Sequence, residues 1–220
     1  MDNGKHLSHC IAGSQYIPSI EYFAHWTYHG SIMLEGQEHY QKRTWRNKTA
    51  ILGPEVPTFL TVPLRRGKNQ GMMIGDVGIA YDSPWPDIHL RTLQAAYGKT
   101  AYGEEILSGF ASILQARHER LWDLNLAILQ EVISMLKGTW NLMFSETYIK
   151  TYPEETIDLR KGVPGGIARV EADAQISYPQ VHRLGQSHQP NLCIFDLLSH
   201  LGPDSTNYLS RYAQKLYDHR

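Results

Sequence analysis

The stretch "LSHCIAGSQYIPSIEYFAHWTYH", residues 7–29, decides the fold class. Its first seven residues form a short, apolar run that ends in glycine, and such a run is typical of a buried strand followed by a turn. Pro18 then suits the first turn of a helix, and Ile20, Phe23 and Tyr28 fall on one face of that helix. A buried strand followed by a loop and a helix predicts an α/β protein.

Strand and helix patterns continue along the rest of the chain. Short apolar runs between turn signals predict further strands at "SIMLEGQEHY" (31–40), "TAILG" (49–53), "TFLTVPL" (58–64), "IGDVGIAY" (74–81) and "TWNLMFSETY" (139–148). Helical spacing predicts helices from Trp85 to Gly98 with Ser83 as a cap, from Ala116 to Lys137 before Gly138, and two near the C-terminus separated by "LGPDS". We therefore expect an α/β fold with a mixed or parallel sheet of about five strands in the N-terminal half, flanked by helices, and a helix-rich C-terminal half.

Residues 1–220 are expected to form one domain, because this length suffices for one good hydrophobic core. Residues 150–190 are loop-rich and contain Pro153, "GVPGG", Pro179 and Pro190. A long irregular segment inside a compact domain is more often functional than idle, so these residues are a candidate lid.

The composition excludes several classes of protein. The formal net charge is -1, whereas nucleic-acid-binding domains are usually markedly basic, so we expect no nucleic-acid partner. No window approaches the roughly 18 apolar residues of a membrane helix, and no signal peptide is evident, so we expect no membrane association and a cytoplasmic location. Cys10 and Cys193 lack metal-binding spacing and are expected to be buried thiols. A homo-oligomer is possible, because nothing in the composition excludes one.

Positive charge is concentrated in "HYQKRTWRNK", residues 39–48, which places four basic residues around Trp45. Guanidinium groups make paired contacts with phosphate or carboxylate, so one interpretation is a site for an anionic ligand, which Arg65, Arg66 and Lys68 would enlarge if the strands are neighbours. The other interpretation is a solvated surface with aromatic residues packed beneath it. No GxGxxG or GxxxxGK[ST] phosphate-binding fingerprint occurs in the chain.

Glu21, His25 and His29 recur every four residues and would share one helix face, a geometry that zinc can use. This spacing arises easily by chance in a chain with 11 histidines, so a polar helix face is the favoured interpretation, and we predict no metal and no cofactor. Cys193 precedes an apolar helix, but its neighbours are apolar, which favours a structural role.

Several blocks together resemble the WbqC-like family, in particular the branch found in Bacteroidetes. They are "QYIPSIEYF" (15–23), "EHYQKRTWRNKTAILG" (38–53), "LTVPL" (60–64), "PWPDIHLRTLQAAYGKTAYGEEI" (84–106), "LWDLNLAIL" (121–129) and "QPNLCIFDLLSHLGP" (189–203). The founding member of the family is encoded in an O-antigen polysaccharide gene cluster. The resemblance therefore implies an enzyme that acts on sugars, for example by transfer of an acyl or aminoacyl group in cell-surface polysaccharide biosynthesis.

Residue by residue, the resemblance implies substrate-binding roles for Gln15, Tyr16, Tyr22, Tyr40, Lys42, Trp45, Arg46, Asn47, Asn191 and Asp196. Our leading hypothesis is a transferase-like enzyme that binds an anionic small molecule, linked to a nucleotide, a sugar or an acyl group, at the strand ends. His39 and Glu21 are the candidate catalytic residues for proton transfer. The alternative is a non-catalytic protein that binds an anionic metabolite or a protein partner.

Overall fold

A four-stranded parallel sheet organises the fold in the computed structural model, which describes residues 10–67, 69–137, 140–161, 176–181 and 188–218. In chain order the elements within these ranges are β1 (Cys10–Ala12), α1 (Ile20–His29), β2 (Ser31–Leu34), β3 (Lys48–Ile51), β4 (Thr58–Thr61), α2 (Trp85–Tyr97), α3 (Gly103–Gln115), α4 (Leu121–Leu136), β5 (Asn141–Phe144), β6 (Ile157–Leu159), α5 (Ile194–Leu201) and α6 (Ser205–Asp218). The predicted α/β class, with a parallel sheet flanked by helices and a helical C-terminal region, is confirmed.

The parallel sheet has the strand order β5–β2–β1–β6. Ile11 of β1 pairs with Met33 on one side and with Asp158 on the other, and all three residues of β1 are buried. A continuous apolar run is characteristic of a strand covered on both faces, which explains why the first stretch predicted β1 correctly. Strands β3 and β4 pair antiparallel in a separate two-stranded sheet.

The strand order creates a crevice at one end of the sheet. From β1 the chain proceeds to β2 and then to β5 on one side, whereas β6 pairs with the opposite side of β1. In open α/β sheets, ligands bind beyond the carboxyl ends of the strands, at the point where the strand order reverses. Here that point lies between the ends of β1 and β6.

Helix α1 connects β1 to β2 and has well-formed ends. The Ser19 hydroxyl accepts a hydrogen bond from the Tyr22 amide at 3.2 Å, which caps the N-terminus, so Pro18 lies just before the helix rather than in its first turn. At the other end Gly30 has a φ of 68° and its amide donates to the Trp26 carbonyl at 2.9 Å. This left-handed conformation favours glycine and lets the chain turn directly into β2.

The helices α2, α3 and α4 pack in sequence, α2 on α3 and α3 on α4. Gly98 ends α2 as predicted, but Pro84 rather than Ser83 is the N-cap residue. Helix α4 begins at Leu121 rather than at Ala116, because Arg117 has a φ of 49° and Arg120 is extended. The predicted stop at Gly138 lies outside the described residues, and α4 ends before Lys137, whose φ is 51°.

Three further predictions need correction. The stretch 74–81 is not a strand, because its residues make single bridges to different partners and Ile74–Asp76 forms a 3₁₀-helix. Residues 103–115 form helix α3, although the sequence patterns predict no element there. Strand β6 lies inside the region 150–190, which was predicted to be loop-rich. Most of the remainder of that candidate lid, residues 162–175 and 182–187, lies outside the described residues.

Both cysteines are buried, as predicted, and burial raises the pKa of each thiol to about 12. At neutral pH neither thiol is a nucleophile, because the thiolate is the reactive form.

Among the helices of the described ranges, none combines the length and the apolar character that a membrane crossing requires.

Candidate functional site

An open cleft of about 510 Å³ lies beyond the carboxyl ends of the parallel strands. Three chain segments form it: the one that follows β2, the one that follows β5, and the end of β6 with the two residues after it. The cleft is lined by Glu38, His39, Gln41, Tyr148, Lys150, Thr151, Tyr152, Thr156, Asp158, Arg160 and Lys161. Its volume lies within the range of small-molecule sites, about 300–1,000 Å³.

Arg46 fills the neighbouring crevice between β1 and β6. Its guanidinium donates to Glu38 through Nε, at 2.8 Å from Oε1, and through Nη2 to Oε2. Nη2 also donates to the Arg160 carbonyl at 2.9 Å, and only about 10 Å³ of open space remains beside Gly13 and Ser14. The crevice where ligands of α/β proteins usually bind is therefore occupied by a buried ion pair of the protein itself.

Glu38 connects this ion pair to the cleft. Burial raises the pKa of its carboxyl, and the hydrogen bonds and charge of Arg46 counteract that rise only in part. A carboxyl that lines a cleft and has a raised pKa is a candidate acid or base for catalysis. Sequence reasoning missed Glu38, although it stands eight residues before Arg46 in the same block.

Arg160 holds the segment after β5 against the end of β6. Its guanidinium donates to the Asp158 carboxylate through Nε at 2.9 Å and through Nη2 at 2.6 Å, and its backbone amide donates to the same carboxylate at 3.0 Å. It also donates to the carbonyls of Ile149 at 2.6 Å and Lys150 at 3.3 Å, and to Glu35 at 3.4 Å. Burial raises the pKa of Asp158, but the bonds from Arg160 outweigh burial and hold that pKa below its usual value. Arg160 is thus engaged in the scaffold of the cleft.

Two lysines supply the available positive charge of the cleft. Lys150 and Lys161 are both exposed, and neither forms an ion pair with any residue in the described ranges. His39, which sequence reasoning named as a catalytic candidate, is also exposed and lines the same cleft. The structure therefore brings His39, Glu38 and two cationic side chains together around one open volume.

Apart from His39 and Gln41, the polar residues of "HYQKRTWRNK" do not line the cleft. The Tyr40 hydroxyl donates to Asn47 at 3.0 Å, and Asn47 in turn donates to the Val62 carbonyl at 2.9 Å. Trp45 stacks on Phe59 at 6.4 Å between ring centroids, and Lys42 is exposed. These contacts fix the stretch against β4 and the segment that follows it.

The second basic group that sequence reasoning considered also lies apart from the cleft lining. Arg65 donates to the Ile79 carbonyl at 3.3 Å, and Arg66 is exposed. Lys68 lies outside the described residues.

The predicted residues of the first turn are buried. The Tyr16 hydroxyl lies 2.8 Å from His89 Nδ1 in the core, and the Tyr22 hydroxyl donates to the Gly13 carbonyl at 2.9 Å. Burial raises the pKa of both phenols well above the usual value. Gln15 is also buried, at the edge of the crevice that Arg46 fills.

Glu21, Asn191 and Asp196 are buried and do not line the cleft. Asn191 Nδ2 donates to Glu21 Oε2 at 2.9 Å, which ties α1 to the segment before α5. Asp196 accepts hydrogen bonds from the Tyr178 hydroxyl and from Gln180, at 2.9 Å for the latter. These contacts join separate parts of the chain.

The histidines that follow Glu21 face the C-terminal helix. His25 Nδ1 and His29 Nε2 lie 2.7 Å and 2.9 Å from the Tyr217 hydroxyl. Over the described part of the chain, no group of three or more His, Cys, Asp or Glu side chains is arranged to hold a metal ion.

Comparisons with known proteins identify the family of the chain. The model of the WbqC-like protein family matches residues 13–163, which include every residue that lines the cleft. The chain belongs to this family. Asn191 and Asp196 lie beyond the matched region.

A second comparison gives a full-length relative. The chain is 24% identical over 228 residues to the uncharacterized protein Rv1507c of Mycobacterium tuberculosis, and the alignment covers 93% of this chain and 98% of that protein. No solved structure gives a significant match.

Proposed function

We propose that this protein is a transferase that binds an anionic small molecule in the cleft and transfers an acyl or aminoacyl group to it in cell-surface polysaccharide biosynthesis. One observation carries the proposal: His39, Glu38, Lys150 and Lys161 line a single open cleft beyond the carboxyl ends of parallel strands. Unpaired cations there suit an anionic substrate, and the neighbouring imidazole and carboxyl suit proton transfer. The polysaccharide role rests on the resemblance to the WbqC-like family.

In the proposed reaction, an amine of the bound sugar attacks the carbonyl carbon of the acyl donor. The nitrogen lone pair forms the new bond, the bond from carbon to the donor's oxygen or sulfur breaks, and that atom leaves with its electron pair. His39 takes the proton that the nitrogen loses, because a histidine can accept a proton at neutral pH. Glu38, which precedes His39 in the chain and lines the same cleft, is the second candidate for proton transfer, because burial raises the pKa of its carboxyl.

Two of the residues that sequence reasoning favoured have different roles in this proposal. Arg46 positions Glu38 and the segment that carries Arg160 rather than contacting the ligand, because its guanidinium donates to Glu38 and to the Arg160 carbonyl. Glu21 bonds to Asn191 and supports the fold.

A thermal-shift screen with nucleotides, nucleotide sugars, acyl carriers and simple anions tests the binding step. A ligand at 100 times its Kd is expected to stabilise the protein by about 2.7 kcal/mol. Lys161→Ala should abolish the shift without lowering the baseline melting temperature, whereas Lys42→Ala, at another exposed lysine outside the cleft lining, should leave the shift intact. Absence of any anion-dependent shift would contradict the proposal.

His39→Ala separates an enzyme from a binding protein. The variant should bind the ligand that the screen identifies, because His39 is exposed and its removal leaves both lysines in place. Incubated with that ligand and an acyl donor, the wild-type protein should give a product heavier by the acyl group, detected by mass spectrometry, and the variant should give far less. Wild-type protein that binds but never forms product would favour the non-catalytic alternative.

A further inference from the structure

Two tyrosine rings form an aromatic wall of the cleft. The centroids of the Tyr148 and Tyr152 rings lie 4.9 Å and 5.0 Å from the central carbon of the Arg160 guanidinium. Each ring therefore has a cation against one face, and the opposite face is directed away from Arg160. Tyr148 remains 49% exposed, so a large part of its ring is accessible to a ligand.

The character of the remaining lining narrows the class of ligand. Among the described residues that line the cleft, the side chains are acidic, basic, amide, hydroxyl or aromatic, and none is aliphatic. An acyl chain would find no aliphatic side chain in this lining to pack against. A planar base, by contrast, can stack on tyrosine, and this contact is worth about 1–3 kcal/mol per base.

The charges of the cleft match a diphosphate. Glu38 is paired with Arg46, and Arg160 is paired with Asp158 and, at 3.4 Å, with the buried Glu35. Lys150 and Lys161 line the cleft and have no ion-pair partner in the described ranges. A diphosphate esterified at both ends carries two negative charges, which two lysines neutralise. Ammonium groups bind phosphate as point charges and do not require the fork geometry of arginine.

We propose that the anionic substrate of the cleft is a nucleoside diphosphate linked to a sugar, with its base stacked on Tyr148 and its diphosphate between Lys150 and Lys161. This inference rests on the proposed function and specifies its substrate. It places the sugar toward His39 and Glu38, which line the same cleft. The Thr156 hydroxyl can donate or accept a hydrogen bond with a ribose hydroxyl, and the Asp158 carboxylate can accept one.

Isothermal titration calorimetry with UDP, GDP, CDP, ADP and inorganic pyrophosphate tests the inference. At least one of the nucleoside diphosphates should bind the wild-type protein at least tenfold more tightly than pyrophosphate. Tyr148→Leu should weaken binding of that nucleotide about tenfold, as expected for loss of one stacking contact, while pyrophosphate affinity changes less than twofold. Tyr148→Phe keeps the ring and should bind as the wild type does.

Tyr28→Leu is the matched control, because Tyr28 is 51% exposed and does not line the cleft. It should bind every probe as the wild type does. Pyrophosphate that binds as tightly as every nucleotide, with no effect of Tyr148→Leu, would overturn this inference and leave the anion site standing. Failure of every phosphate-bearing probe to bind would overturn the proposed function as well.

Discussion

Removal of the Arg46 side chain is expected to destabilise the protein far more than removal of any other cation in "HYQKRTWRNK". Arg46 and Glu38 are each 3% exposed, and the pair is held by two hydrogen bonds from the guanidinium to the carboxylate. Breaking a buried pair by removal of one partner costs about 3–5 kcal/mol, because the other charge stays buried without compensation. Arg46→Ala should therefore lose that much free energy of unfolding. Lys42→Ala, at an exposed position, should change it by less than about 0.5 kcal/mol.

The loss of stability in Arg46→Ala should be larger at high pH than at low pH. Burial already raises the pKa of Glu38 above 4.5, and Arg46 is the group that counteracts this rise most. Without Arg46 the pKa rises further, so the folded variant holds a proton that the unfolded chain releases, and its stability falls as pH rises above 4.5. The difference from the wild type should be larger at pH 8 than at pH 5.

Urea unfolding at both pH values, with linear extrapolation to water, measures the effect. Replacement of both partners, Arg46→Met with Glu38→Leu, should recover much of the loss, since no buried charge is then left unpaired. An Arg46→Ala variant as stable as Lys42→Ala, or equally destabilised at pH 5 and pH 8, would refute the ion-pair assignment.

Three further predictions concern stability in urea. Gly13→Ala should cost about 1–3 kcal/mol, because the added β-carbon would lie 2.9 Å from Glu38 Oε1; an unchanged midpoint would contradict the packed crevice. Tyr178→Phe should cost about 1–3 kcal/mol by removing a hydrogen bond to the buried Asp196 carboxylate, and equal stability would show that this bond contributes nothing. Burial lowers the pKa of His89 from 6.5 to about 4, so the unfolded chain binds a proton at a pH where the folded protein does not. The free energy of unfolding should therefore fall by roughly 3 kcal/mol as the pH is lowered from 6.5 to 4, and His89→Gln should remove that dependence on pH.

The elements that sequence predicted best are those with a strong local pattern. Strand β1 is a buried apolar run, and the stripe of α4 and the break before α6 are similarly local signals. Strand β6 has only three residues and pairs with β1, far away in sequence, so nothing near it indicates that it completes the sheet. The start of α4 was misplaced because Arg117 adopts a left-handed conformation that no local rule requires of arginine.

The candidate site was predicted only in part, for a related reason. His39 was chosen for its chemistry and does line the cleft, but apart from Glu38 and Gln41 the other lining residues come from segments more than 100 positions later in the chain. Arg46 carried the expected charge, yet its carboxylate partner is Glu38 of the same block, and the function of a charge depends on whether it is already paired. Sequence reveals which residues are charged, whereas the pairing follows from tertiary contacts.

The anionic substrate is proposed to bind in the cleft rather than at the exposed cations of "HYQKRTWRNK". Two double variants with the same change in charge test it: Lys150→Ala with Lys161→Ala in the cleft, and Lys42→Ala with Arg43→Ala at exposed positions of the stretch. Titration calorimetry with the tightest-binding nucleoside diphosphate should show binding abolished in the first variant and unchanged in the second. Binding that survives in the first variant and disappears in the second would contradict the claim.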